Sequence, residues 1–152
     1  MLVGLGNPIM GDDAVGIQVV RTLKERMSDH NGVDFKELSL GGIKLVEEIL
    51  GYDPVFIVDS FASPETAGKI REYSAEDFKD TEYASSPHST NFATALEFYR
   101  KLEKEKIPNT IRIFTVDINP DFTFRESLSP AVQKAASELA ELIRRELQKT
   151  QG

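Results

Sequence analysis

Three places in this chain set a carboxylate or an imidazole at the end of an apolar run or in a loop just ahead of a helix. The opening segment Leu2-Val3-Gly4-Leu5-Gly6-Asn7-Pro8-Ile9-Met10-Gly11-Asp12-Asp13-Ala14-Val15-Gly16 ends in two adjacent acids. Asp59 directly follows the run Val55-Phe56-Ile57-Val58, and His88 stands in Ser85-Ser86-Pro87-His88-Ser89. Hard carboxylate oxygens together with a neutral imidazole suit zinc or nickel, and three protein ligands leave positions open for water or substrate. Each residue also has a plainer reading. Asp12 or Asp13 caps the helix that follows, Asp59 ends its strand by bonding the backbone of Ser60 or Ala62, and His88 faces solvent. A cap needs one carboxylate, however, and this loop has two.

The opening loop has the shape of a nucleotide-binding turn with the wrong charge. A dinucleotide fingerprint wants G-x-G-x-x-G and a helix N-terminus left free for pyrophosphate. Gly4 and Gly6 fit, but the third glycine position is Ile9, and Asp12 and Asp13 stand where phosphates would go. Like charges at close range repel, so the loop favours a cation. Pro8 stiffens it, fixing its own φ and pushing Asn7 toward an extended conformation. His30, in a His30-Asn31-Gly32 turn, reads as a surface residue. Asp117 and Asn119 end another strand, and either line the same cleft or shape the Asn119-Pro120 turn.

Composition excludes several chemistries. The chain has 152 residues and no cysteine, which removes disulfides, thiolate metal sites and thiol nucleophiles. Its net charge of −7 lacks the electrostatic footprint of nucleic-acid binding. The lysines and arginines of 100–106 and 144–149 alternate with glutamates, as on solvated helix faces. No signal peptide is expected, since glycine, proline and aspartate interrupt the first apolar residues. No apolar run approaches ~18 residues, so no membrane span is expected. A single domain over residues 1–152 of a soluble, cytoplasmic protein is the expectation. An H-E-x-x-H helix and a G-x-S-x-G elbow are both missing, and Ser89 beside His88 makes poor triad geometry.

The elements that must position these residues alternate. Strands are expected at 1–5, 33–38, 55–58, 68–73 and 110–116. Helices are expected at 13–27, 43–50, 90–104 and from Ser129-Pro130 to about residue 147, with a short acidic turn at 74–80. Val15, Val19, Leu23 and Met27 recur at helical spacing. The last helix should turn Val132, Ala135, Leu139, Leu142, Ile143 and Leu147 inward. Four consecutive apolar residues at 55–58 imply a strand covered on both faces. That rhythm argues for a three-layer α/β/α sandwich with a mostly parallel sheet, in which ligands bind beyond the carboxyl ends of the strands.

Taken together, these residues resemble the hydrogenase maturation endopeptidases, which trim the C-terminal extension of the [NiFe] hydrogenase large-subunit precursor. The resemblance lies in the Gly4–Gly16 opening, in Val58-Asp59 and in Pro87-His88, in matching order across most of the chain. It implies a mixed five-stranded sheet. It also implies that Asp13, Asp59 and His88 bind metal and carry the catalysis. Gly41-Gly42 resembles a segment associated with substrate recognition, although Leu40 stands where the family has Asp. Asp13 replaces a common Glu, and Ala14 a common Gly. The implied metal is nickel carried by the substrate protein, with zinc or cadmium able to take its place, and no organic cofactor is implied. The implied partner is the large-subunit precursor, cleaved only after nickel insertion. A nickel-binding adaptor without peptidase activity and a small nucleotide-binding module are the competing readings.

Overall fold

Apolar periodicity decides which face each helix turns toward the strands. In the computed structural model, which describes residues 1–27, 29, 32–39, 41–86, 88–89, 91–121 and 123–151, strands and helices alternate as β1 (Leu2–Leu5), α1 (Val15–Arg26), β2 (Phe35–Leu38), α2 (Gly42–Ile49) and β3 (Val55–Ala62). They continue as β4 (Ile70–Ser74), α3 (Phe92–Leu102), β5 (Ile111–Ile118) and α4 (Pro130–Gln151). Five strands form one sheet in the order β2-β1-β3-β5-β4. All neighbours run parallel except β4, which is antiparallel to β5. The architecture is the expected α/β/α sandwich with a mixed sheet.

The two faces carry separate cores. Val15, Val19 and Leu23 of α1 and Leu139, Ile143 and Leu147 of α4 pack against Phe56, Val58, Phe114 and Val116. Leu45, Val46 and Ile49 of α2 and Phe92 and Leu96 of α3 pack on the other face, against Val3, Ile57 and Ile113. The run Val55–Val58 is buried throughout, as a strand covered on both sides must be. Each such side chain contributes about 1.5–3 kcal/mol of burial.

Several boundaries differ from expectation. Residues Gly11–Ala14 form a 3-10 turn, and the α-helix begins only at Val15. β3 runs four residues past Val58, because β5 pairs with it in register as far as Ala62↔Ile118. Asp59 therefore lies inside the strand rather than after it. Leu142 was expected to face inward but is 39% exposed. The inward stripe of α4 follows Leu139, Ile143 and Leu147, and Leu142 falls at its rim. The expected start of α3 at Thr90, the His30-Asn31 turn, Leu40 and Pro87 lie outside the described residues.

The connections place a crevice. α1 links β1 outward to β2 on one face, and α2 returns the chain to β3 on the other. The strand order thus reverses between β1 and β3, and the crevice beyond their carboxyl ends is where open α/β sheets bind ligands.

Candidate active site

Asp59 is the fifth residue of β3 and is completely buried. A carboxylate inside a sheet is costly unless every oxygen finds donors. Asp59 has them: Ser60 N–H donates to Oδ1 at 2.8 Å, and the Tyr83 hydroxyl donates to Oδ2 at 2.8 Å. His88 Nδ1 lies 2.9 Å and 3.0 Å from the two oxygens. With a carboxylate on that side, Nδ1 carries the proton and donates it. Nε2 then makes no hydrogen bond among the described residues. This is the arrangement in which a carboxylate fixes the tautomer and direction of a working imidazole.

The segment carrying His88 is held by packing that local sequence does not announce. Phe78, Tyr83 and Phe92 are buried, with Tyr83 stacked on Tyr73 at 5.9 Å and Phe78 against Phe92 at 5.5 Å. Ser89 Oγ donates to the Tyr83 carbonyl, and the Ser86 and Ser89 hydroxyls lie 2.7 Å apart. Gly42 N–H donates to the His88 carbonyl at 3.2 Å. A Cβ on Gly41 would stand 1.8 Å from that same carbonyl oxygen, so only glycine lets α2 approach. The Gly41-Gly42 pair, expected to meet substrate, is thus a direct support of the His88 loop.

Asp13 reaches the same strand from the opposite face of the sheet. Its Oδ1 accepts from Ser60 Oγ at 3.2 Å and its Oδ2 from Asn7 N–H at 2.9 Å. Gly6 makes the turn possible: its φ is +144°, and a Cβ there would lie 2.2 Å from the Asp13 carbonyl. Asp12 does something else. Its oxygens accept from Ser129 N–H and Ser129 Oγ, both at 2.7 Å, tying the start of α4 to the first loop. Neither acid caps its own helix. Two adjacent carboxylates thus serve separate sets of partners.

Asp13, Ser60, Phe61, Ala62, His88 and Ile118 are among the residues that line a cleft of about 510 Å³ at this crevice. Hydrogen bonding to Asp59 is the main cause raising His88 above 6.5; burial opposes it, and the charges of Asp59 and Asp13 add to it. Burial, then the Asp59 charge, pushes the Tyr83 phenol well above its ordinary value, so it remains a donor. Among the described residues no three of His, Cys, Asp and Glu form a ready-made metal cage. The reason is visible in Asp59, whose oxygens are turned to Tyr83, Ser60 and His88. Asp117, which could have lined the cleft, is buried and held by Arg71 at 2.9–3.1 Å and Thr66 at 2.7 Å. Sequence reasoning missed Tyr83 and the hydroxyl of Ser60. Only the position of Ser60 beside Asp59 offered any signal.

A doubly wound sheet with an acid–imidazole cluster at its reversal point defines a small α/β enzyme with its polar groups gathered at the strand ends. The family model of the HycI hydrogenase maturation proteases matches residues 17–146, and the chain belongs to that family. It is accordingly a peptidase, which decides against the adaptor and the nucleotide module. Among curated proteins, none matches the sequence significantly. Solved structures give the same fold. The hydrogenase maturating endopeptidase HybD from E. coli superposes with a TM-score of 0.74 at 21% identity, over 98% of this chain and 91% of that one. The [NiFe] hydrogenase maturation protease HycI from Thermococcus kodakarensis gives 0.71 at 23% identity, over 97% and 90%. HybD from the same organism gives 0.69 at 19%, over 95% of each. No helix among the described residues is long and apolar enough to cross a membrane.

Proposed function

We propose that this peptidase removes the C-terminal extension of a [NiFe] hydrogenase large-subunit precursor, and that Asp13, Asp59 and His88 recognise nickel already seated in that substrate. The observation that carries the reading is the convergence of the three on one strand. Asp59 and His88 are in direct contact, and Asp13 is joined to them through Ser60. Nickel arrives as part of the substrate, so a tight resident cage is not required of the protein. Asp13 and His88 line the cleft as donors, and Asp59 joins them by giving up one of its bonds to Tyr83, Ser60 or His88. Such a set, without thiolate, suits brief capture of a borderline metal, and zinc or cadmium can occupy the same donors.

Docking through the metal sets one peptide bond of the extension beside the cleft, and proximity then supplies much of the rate. Asp13 is the carboxylate best placed to take a proton from water, since it is partly exposed and lines the cleft, whereas Asp59 is enclosed. His88, held by Asp59, presents Nε2 for binding or proton transfer. Gly41 and Gly42 serve the substrate by fixing the His88 loop against α2.

The test compares cleavage of nickel-loaded and nickel-free precursor by mass spectrometry. Wild type should process only the loaded form. Asp13→Ala and His88→Ala should lose processing while staying folded, and Asp12→Ala, whose carboxylate serves Ser129, should retain it. Equal cleavage of both precursor forms sinks the nickel-recognition reading.

A further inference from the structure

β3 offers a short free edge inside the sheet, in the middle of the cleft. β1 pairs with it only as far as Gly4↔Val58, whereas β5 pairs with it through Ala62↔Ile118. Peptide groups alternate sides along a strand. Phe56 N–H bonds Met1 on the β1 side, while Val55 N–H and Ser63 N–H bond Thr110 and Ile118 on the β5 side. By that alternation the peptide groups of Ser60 and Ala62 aim into the space beyond the end of β1. Ser60 N–H is taken by Asp59. The Ser60 carbonyl and the Ala62 N–H have no hydrogen-bond partner among the described residues.

The two faces of the sheet flank this edge differently. Asp13 approaches from the α1 face, by way of Ser60 Oγ, and His88 from the α2/α3 face, by way of Asp59. A chain laid along the edge in line with β1 therefore passes between the two. The groups on offer are one acceptor and one donor at strand spacing, beside the small side chain of Ala62; Ile118 lines the cleft from β5, on the other side of β3. They match the backbone of an extended peptide and carry no charge that would select an ion.

The geometry points to substrate binding by β-strand addition: an extended segment of the precursor pairs with Ser60 and Ala62, and that pairing sets the scissile bond between Asp13 and His88. This rests on the endopeptidase reading above. Main-chain pairing fixes the register of the peptide whatever its side chains, while the metal fixes where along the precursor the enzyme docks. Two backbone bonds position more than they hold, so their loss appears mainly in KM.

The test removes the Ala62 N–H. Ala62→Pro does so in one substitution. Lactic acid at position 62, which makes that one linkage an ester, does so without constraining φ and serves if the proline variant fails to fold. Processing of nickel-loaded precursor should show KM raised about 3- to 10-fold, the effect of one net hydrogen bond, with kcat within about twofold. Hydrogen exchange at the Ala62 amide should slow about tenfold or more when wild-type enzyme binds loaded precursor whose scissile amide is replaced by an uncleavable reduced (CH2–NH) linkage. Unchanged KM in the ester variant and unchanged exchange at Ala62, with wild type still processing, overturn the strand pairing and leave the peptidase reading intact. Failure of wild type to process the loaded precursor overturns both.

Discussion

Replacing Tyr83 by Phe deletes one oxygen from a closed part of the molecule and little else. The ring is 2% exposed, stacked on Tyr73 at 5.9 Å and edge-on to Phe61 and Phe78 at 6.5 Å. Phe keeps those contacts. What disappears is the hydroxyl that donates to Asp59 Oδ2 over 2.8 Å and is also hydrogen-bonded to Ser86. Asp59 has no exposure through which water could take its place, and among the described residues it keeps Ser60 N–H and His88 as donors. A hydrogen bond to a charged acceptor contributes about 1.5–3 kcal/mol. At about 2–4 °C per kcal/mol for a domain of this size, the melting temperature should fall by about 3–12 °C. Thermal unfolding followed by circular dichroism measures that shift, and urea unfolding measures the free-energy loss, with the slope unchanged, since no surface is added or lost. Combining the substitution with His88→Ala should reveal a coupling of about 0.5 kcal/mol or more, because both donors share one carboxylate. A Tyr83→Phe protein within about 0.5 kcal/mol of wild type, additive with His88→Ala, would refute the reasoning.

Two further outcomes follow from the same contacts. The Asp59 bond raises His88 above 6.5 in the folded protein, so folding favours the protonated ring. The pair's contribution to stability is then fully present below about pH 6.5 and is lost as pH rises through the raised folded value. Urea midpoints taken between about pH 5 and 9 should decline more steeply for wild type than for His88→Ala, and parallel curves count against the ion pair. Gly41→Ala sets a Cβ 1.8 Å from the His88 carbonyl, which forces the α2 start and the His88 loop apart. Precursor processing should drop at least tenfold, with a detectable change in the His88 ring resonances. Wild-type kinetics in that variant exclude a supporting role for the glycine.

How much of this was legible depended on whether the cause was local. The strand–turn–acid opening, the α1 stripe of Val15, Val19 and Leu23, and the doubly covered run at 55–58 are periodicity and turn chemistry, and they read directly. The length of β3 did not. Its apolar signal stops at Val58, while the strand continues because β5 supplies backbone partners whatever the side chains are. Asp12 and Asp13 were indistinguishable as neighbours in a loop, since the residues that separate their roles, Ser129 and Ser60, lie 117 and 47 positions away. Tyr83 gave no signal at all. Its place against Asp59 is set by aromatic packing across β3 and β4. Gly41-Gly42 stood out as a motif, but only the folded chain places it against the His88 carbonyl.

Asp13 travels with one outer layer of the sandwich and His88 with the other, and β3 is the shared beam between them. Any sliding of α1 or of the α2–α3 pair across the sheet changes the gap spanned by the two side chains, even though neither residue mutates. Methyl-sized changes deep in either apolar layer, far from the cleft, should therefore tune the rate of cleavage. Gains in activity during laboratory evolution are to be sought among those buried aliphatics as well as at the rim.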